Sequence, residues 1–232
     1  MIVCLAAAAL VGAAFATPLA AEPLRQDCLP YLALAARTAS PRLWRVNGSG
    51  GVRFIASRMK RAGCPNLSPS CRLLDQAEPG SLVVATSLTG PFACVVAVGP
   101  APTLRAAQGW LPLTRLRPVD TGHRTRAGWV GDWLAGPEQR LSIRVSGRRA
   151  LSVHGTATWG AEDPARAAEG RVNIGEMTAR GAPRGDRLDL AADGADSCAA
   201  RMWRLGPYLI VADNRRCGGA NVSFAGIYRL AG

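Results

Sequence analysis

The sequence predicts an all-β protein that is cross-linked by disulfides. Helical periodicity is almost absent from its 232 residues. Short runs of alternating apolar and polar residues recur instead, with glycine or proline between them about every 8 to 12 residues, which is typical of small β domains. Of seven cysteines, Cys4 lies in an apolar N-terminal segment and six follow it. An even number in an exported chain indicates disulfides and an oxidising compartment.

Residues 1–21 have the composition of a signal peptide. The stretch Ile2–Ala16 carries no charged side chain and is shorter than the roughly 20 residues that a membrane-spanning helix needs. Small residues at Ala14–Ala16 and at Leu19–Ala21 leave two cleavage sites open, and Pro18 favours the second. Only the amino terminus supplies positive charge before the apolar stretch, and a retained membrane anchor is the alternative. We therefore expect a periplasmic or secreted protein without a stable membrane span after cleavage.

The mature chain is predicted to contain two β domains. The segment 120–127 is polar, lacks an apolar period and is predicted to be a linker between residues 22–119 and residues 128–232. Four cysteines fall before the linker and two after it, so each domain can pair its own.

The first domain is predicted to contain one short helix and five strands. The apolar stretch Leu29–Thr38 predicts the helix, which ends before Pro41. Alternation predicts strands over Arg42–Val46, Val52–Ala56, Ser81–Thr86, Phe92–Val98 and Gln108–Leu116.

Residues 71–119 carry a recognisable series of turns. A Pro79-Gly80 turn precedes one strand, Gly90-Pro91 precedes the next, and Gly109–Leu116 combines a Gly-Trp-hydrophobic-Pro strand with a helical turn. This series resembles the bacterial Src-homology-three-like domains. The resemblance implies a small five-stranded barrel and binding of cell-wall peptides or protein partners. We expect Trp110 to pack in the barrel core, and the alternative is that its ring is a ligand platform.

The four cysteines of the first domain allow three sets of pairings. Cys71 and Cys94 flank the barrel strands, so we expect them to pair, which leaves Cys28 with Cys64 to fasten the N-terminal extension. A metal site at Cys64 and Cys71 is not favoured because no matching His or Cys pair follows. We expect neither a metal nor a cofactor.

The second domain is predicted to be an antiparallel barrel or sandwich of about eight strands, because apolar and polar residues alternate through most of its length. The opening segment Gly128–Trp133 and the closing segment Gly226–Tyr228 are expected to be first and last strands that pair.

The densest motif of the chain is Asp213–Asn221. It resembles a segment of a family of uncharacterised secreted proteobacterial β proteins, in which Asp-Asn-x-x-Cys-Gly-Gly-x-Asn-Val recurs, and this family brings no established activity. The favoured interpretation is a hairpin tip in which the two glycines supply positive φ and a Cys198–Cys217 bond contributes about 3 kcal/mol. The alternative is a binding loop. Its polar contacts would come from Asp213, Asn214, Arg215, Arg216 and Asn221.

The formal net charge of +12 points to an acidic partner. Lys60 is the only lysine, and this preference for arginine is typical of a GC-rich genome. The arginines are scattered, so we expect no nucleic-acid binding and favour attraction to an acidic surface. His123 and His154 are the only histidines, and no carboxylate pair, nucleophile elbow or phosphate loop is visible. We therefore expect a protein that is not an enzyme.

These observations together predict a binding protein for a cell-envelope ligand, either peptidoglycan or a protein partner. One alternative is an inhibitor of a cell-wall hydrolase such as lysozyme, because such inhibitors are compact disulfide-bonded β barrels. The positive charge counts against that alternative, since lysozyme is itself basic. The other alternative is an enzyme that acts on envelope glycans.

Overall fold

The computed structural model describes residues 27–36, 40–99, 106–122, 125–191 and 197–231, so the predicted signal peptide lies outside the described residues. Within these ranges the chain forms two short α-helices and 15 strands in two antiparallel sheets. The all-β fold is confirmed. The change from one sheet to the other falls between the strand that ends at Pro118 and the strand that begins at Gly131.

The first sheet has seven strands and is curled. Its strands are β1 (Arg42–Val46), β2 (Val52–Ile55), β3 (Arg72–Ala77), β4 (Leu82–Thr89), β5 (Phe92–Ala97), β6 (Gln108–Pro112) and β7 (Leu116–Pro118). They lie in the order β3-β2-β6-β5-β4-β1-β7. A 3₁₀ turn separates β6 from β7, as the predicted strand-and-turn segment requires. The sequence analysis missed β3, because its pairing with β2 is irregular between Arg53 and Ile55 and its residues do not alternate.

The second sheet is an eight-stranded meander that almost closes into a barrel. Its strands are β8 (Gly131–Gly136), β9 (Gln139–Ser146), β10 (Ala150–Trp159), β11 (Asn173–Gly181), β12 (Arg187–Ala191), β13 (Ala199–Leu205), β14 (Tyr208–Asp213) and β15 (Gly226–Leu230). Helix α2 (Pro164–Ala168) lies between β10 and β11, and the Asp163 side chain caps its N-terminus.

The first and last strands of this meander pair with each other, as predicted. Trp133 of β8 faces Leu230 of β15, and Leu134 faces Arg229. The sheet edges are therefore β11 and β12, which are consecutive in the chain. They approach closely at Gly181, where an added Cβ would lie 2.8 Å from the carbonyl oxygen of Asp189.

The inside of the second sheet is a packed hydrophobic core. Its largest side chains are fully buried, and they are Trp129, Trp133, Leu141, Ile143, Leu151, Leu188, Phe224 and Tyr228. Two polar atoms of this core find carbonyl partners. Trp133 Nε1 donates to Trp129 O at 3.0 Å, and the Tyr228 hydroxyl donates to Phe224 O at 2.8 Å. Side chains therefore fill the barrel as they fill other small barrels.

Helix α1 (Pro30–Ala35) lies between the two sheets. Proline at its first turn is compatible with a helix because the first backbone amides have no helical partner. The helix packs against β4 and β5 of the first sheet and against β13 and β14 of the second. Leu34 joins a buried cluster that both sheets share, with Leu43 and Val84 on one side and Trp203, Tyr208 and Ile210 on the other. Arg201 Nη1 donates to Leu34 O at 3.1 Å.

All six cysteines that follow the leader form disulfides, but one predicted set of pairings is wrong. Cys198 bonds to Cys217, as predicted. In the first domain the bonds are Cys28–Cys94 and Cys64–Cys71, and the expected Cys71–Cys94 and Cys28–Cys64 bonds are absent. Cys71 lies next to β3 and Cys94 lies in β5, three strands away in the sheet order. Three strand spacings amount to about 14 Å, which is beyond the reach of about 7 Å between bonded Cα atoms.

Replacing Leu34 tests the role of α1 between the sheets. Leu34 is fully buried whereas Leu32, on the same helix, is 43% exposed. We expect Leu34→Ala to lower the free energy of unfolding by about 2–5 kcal/mol because it leaves a cavity. The matched Leu32→Ala should cost less than about 1 kcal/mol. Urea unfolding measures both, and equal costs would contradict this account of the helix.

Tyr228 makes the stability depend on alkaline pH. Burial raises the pKa of its phenol well above 10.0, and the charges of Asp213 and Tyr31 raise it further. The unfolded chain ionises near pH 10, so the folded state holds this proton more tightly. The resulting stabilisation is complete below about pH 10 and is lost as pH rises through the folded pKa. We expect the free energy of unfolding to fall above about pH 10 and to fall less steeply in Tyr228→Phe. Equal slopes in urea titrations would refute this.

Candidate functional site

Trp110 does not present its ring to a ligand. Its side chain is fully buried in a cluster with both disulfides of the first domain. Cys94 and Trp110 are cross-strand partners, and Trp110 also faces Ile55 of β2. The favoured interpretation as a core residue agrees with this burial. Trp110 is therefore removed from the candidate binding residues.

Asp213 and Asn214 organise the connection between β14 and β15. The buried Asp213 carboxylate accepts hydrogen bonds from Phe224 N at 2.5 Å, from the Ser223 hydroxyl at 3.1 Å and from Arg215 N at 3.2 Å. Asn214 bonds to the residues around Cys198, because its side chain accepts from Ala199 N and donates to Ser197 O. Their polar atoms therefore serve the turn.

The two glycines of the motif have a different role from the one predicted. Positive φ occurs at Arg215 (59°) and Asn221 (66°) and not at Gly218 or Gly219. Gly218 instead lies against Gly175 of β11. A Cβ added at Gly175 would lie 2.3 Å from the carbonyl oxygen of Cys217, and one added at Gly218 would lie 2.5 Å from the Gly175 Cα atom. The glycines thus let the connection lie directly across the end of β11.

Arg215, Arg216 and Asn221 are exposed on the outside of this connection. The connection also brings Val222 and Phe224 into the barrel core. Asn173 Nδ2 donates to Ala220 O at 2.7 Å, which holds the connection to β11. The motif therefore closes one end of the barrel, and its exposed polar side chains do not surround a cavity that the structure reveals.

A cleft of about 470 Å³ lies instead on the first sheet. This volume is within the range of small-ligand sites. The cleft is lined by β2, β3, the loop before β3 and the end of β6. Its polar lining consists of Arg53, Arg72, Gln76, Thr114 and Arg115, and its apolar lining includes Val52, Ile55, Leu67 and Pro112.

Arg115 shapes the cleft by holding the turn between β1 and β2. Its Nε donates to Asn47 O at 3.0 Å and its Nη2 donates to Gly50 O at 2.6 Å. The guanidinium is only partly exposed, so these carbonyl bonds satisfy a group that is costly to desolvate. Arg115 therefore keeps its positive charge at the cleft while it holds one wall in place.

Arg53 and Arg72 have no such partners. Both are exposed, and their side chains form no hydrogen bond or ion pair with the described residues. The pairing of Arg53 with Gln76 and of Ile55 with Arg72 across β2 and β3 places both on the same two strands. A guanidinium presents a planar fork of donors that matches a carboxylate or phosphate. The lining contains no Asp or Glu, so the cleft suits an anion.

The lining residues that face this cleft were not predicted. A signal was nevertheless present, since the segment 53–74 contains five basic residues and no acidic residue. The arginines are therefore less scattered than the sequence analysis assumed. The remaining lining residues, among them Thr114 and Arg115, are distant in sequence and reach the cleft only through the pairing of β2 with β6.

Other chemistry is sparse in the described part of the chain. His154 lies exposed on β10 with its Nδ1 atom 3.1 Å from the Thr178 hydroxyl, and His123 lies outside the described residues. Among the described residues no group of three or more His, Cys, Asp or Glu side chains is placed to hold a metal ion. No described helix is long and apolar enough to span a membrane.

The contact at Gly175 can be tested by adding a methyl group. We expect Gly175→Ala to lower the free energy of unfolding by about 1–3 kcal/mol or more, because the Cβ would overlap the Cys217 carbonyl. The control is Gly50→Ala, at a position where an added Cβ meets nothing within 4 Å. It should change stability by less than about 1 kcal/mol. Urea unfolding that shows equal effects would contradict the close packing of the connection on β11.

No family model, curated protein or solved structure matches this chain. The functional conclusion therefore rests on the chemistry of the cleft and of the surface around it.

Proposed function

We propose that this protein is a secreted or periplasmic binding protein, without enzymatic activity, that takes an acidic cell-envelope ligand in the cleft of its first sheet. One observation carries the proposal. Arg53 and Arg72 present unpartnered guanidinium groups in a cleft whose lining contains no carboxylate. A cleft lined by charges of one sign concentrates the field and attracts ligands of the opposite sign.

The compartment is inferred from the cysteines. All six that follow the N-terminal apolar segment are paired in three disulfides, and disulfides persist in the periplasm and outside the cell. The apolar segment 1–21, with small residues at its end, supports export.

Peptidoglycan is the ligand that we favour in this compartment. Its peptides carry carboxylates, and the fork of an arginine binds a carboxylate through two parallel hydrogen bonds. Beside the arginines, Ile55, Leu67 and Pro112 offer apolar surface to the uncharged parts of such a ligand. The resemblance of residues 71–119 to bacterial Src-homology-three-like domains supports the same ligand class. An acidic protein partner is the second candidate, because it would meet the same charges.

Co-sedimentation of the mature protein with purified peptidoglycan tests the proposal. We expect Arg53→Ala with Arg72→Ala to weaken binding by about tenfold or more, because charge-assisted hydrogen bonds are lost. The control is Arg148→Ala with Arg180→Ala. It removes two exposed arginines from the second sheet and changes the net charge equally.

Each outcome has a defined meaning. Equal loss in both double variants would show that only net charge matters and would contradict a site in the cleft. Soluble fragments released from peptidoglycan would identify a glycan-acting enzyme. If the protein does not sediment but inhibits a cell-wall hydrolase, the inhibitor alternative is correct. Binding to an acidic envelope protein that depends on Arg53 and Arg72 would keep the site and change the ligand.

A further inference from the structure

The segment beside the cleft exposes several large apolar side chains. Met59 is 70% exposed, Leu67 is 63% exposed and Leu74 is 90% exposed. They are three of the eight exposed large hydrophobic residues in the described part of the chain, and all three lie within residues 59–74. Exposed apolar residues that cluster in this way mark interaction surfaces.

Basic residues surround these apolar side chains. Arg58 and Lys60 flank Met59 in the chain, Arg61 follows, and Arg72 precedes Leu74 by two positions. No acidic residue occurs between Arg53 and Leu74. The segment therefore combines apolar side chains with positive charge of one sign.

The fold holds this segment in a fixed shape. The Cys64–Cys71 disulfide closes a short loop, and Asn66 forms a turn inside it by donating to Gly63 O and accepting from Ser68 N, both at 2.8 Å. Arg61 donates to the carbonyl oxygens of Ser70 and Arg72. Leu67 is consequently held at the tip of a cross-linked loop, exposed to solvent.

Leu67, Arg72 and Leu74 lie on one surface. Leu67 and Arg72 line the cleft together with Gln76. Side chains alternate between the two sides of a strand, so Leu74 lies on the side of β3 that carries Arg72 and Gln76. Leu73, on the other side, packs against the core. We name residues 58–61, Leu67, Arg72 and Leu74 the loop face.

We infer that the loop face docks onto the surface of a membrane that contains anionic lipids. Exposed apolar side chains on a rigid loop gain by entering the boundary between headgroups and acyl chains. Lysine and arginine can place their apolar stems beside them and keep their charges among the headgroups. Attraction to an anionic leaflet strengthens binding about fivefold for each basic residue near the surface. The absence of carboxylates from residues 53–74 removes repulsion by the lipid phosphates.

This inference goes beyond the proposed function, because docking requires no ligand in the cleft. It would hold the opening of the cleft beside the membrane surface, since Leu67 and Arg72 belong both to the cleft lining and to the loop face.

Vesicle flotation tests the inference with the mature protein. We expect binding to phosphatidylcholine vesicles that contain phosphatidylglycerol, little binding to phosphatidylcholine alone, and release as salt screens the charges. Leu67→Ser with Leu74→Ser should weaken binding to the anionic vesicles about tenfold or more, because two inserted side chains are lost. The control, Val145→Ser with Ile174→Ser, changes two exposed apolar residues of the second sheet, of which Ile174 is as exposed as Leu67. It should change binding less than about twofold.

The inference is overturned by absence of binding to the anionic vesicles, by equal binding to neutral vesicles, or by equal losses in the two double variants. Thermal unfolding of each variant verifies that it is folded. Co-sedimentation with peptidoglycan in the absence of vesicle binding would sink the docking inference and leave the proposed function intact. Vesicle binding without peptidoglycan binding would do the reverse. If Leu67 and Leu74 are needed only for capture of an envelope protein, the loop face is a protein interface and the lipid assignment is wrong.

Discussion

Both faces of the β13–β14 hairpin are buried, and the arrangement of the whole protein depends on this constraint. Every residue of β14 and all but the first of β13 are buried. One face completes the core of the second sheet, and the other packs on α1 and on the first sheet through Trp203, Tyr208 and Ile210. A strand that is apolar on both sides needs cover on both sides. The Cys28–Cys94 bond fastens the segment that supplies part of this cover.

The same constraint divides the arginines into two groups. Arg201 and Arg204 are buried, and they donate to Asp189, to Leu34 O, to Gly128 O and to Tyr208 O. Partial burial works against ionisation of Asp189, but the hydrogen bond from Arg201 and the charges of Arg187 and Arg201 outweigh it and lower the pKa of Asp189. A buried guanidinium must be paired in this way. Arg53 and Arg72 are under no such requirement, so their donors remain available at the cleft.

The densest motif of the chain and its most promising site are therefore in different places. Asp213 and Asn214 direct their polar atoms to backbone groups of the same turn, and Gly218 provides room for Gly175. A compact polar motif is often required for a connection that crosses the end of a barrel, because backbone groups buried there need partners. The cleft, in contrast, is formed by side chains that are individually inconspicuous in the sequence.

Local pattern by itself determined the β class, the eight strands of the second sheet, their closure by β8 and β15, and the Cys198–Cys217 bond. Each of these follows from alternation or from a count, because a strand with one buried face has a period of two and two cysteines allow one pairing. Only the tertiary structure decided the Cys28–Cys94 and Cys64–Cys71 pairings, the strand β3, the burial of Trp110, and the meeting of Arg53, Arg72 and Arg115. These features depend on which strands are neighbours in the first sheet, where β2 lies between β3 and β6. Neighbours of this kind are far apart in the chain, and no local period records which of them pair.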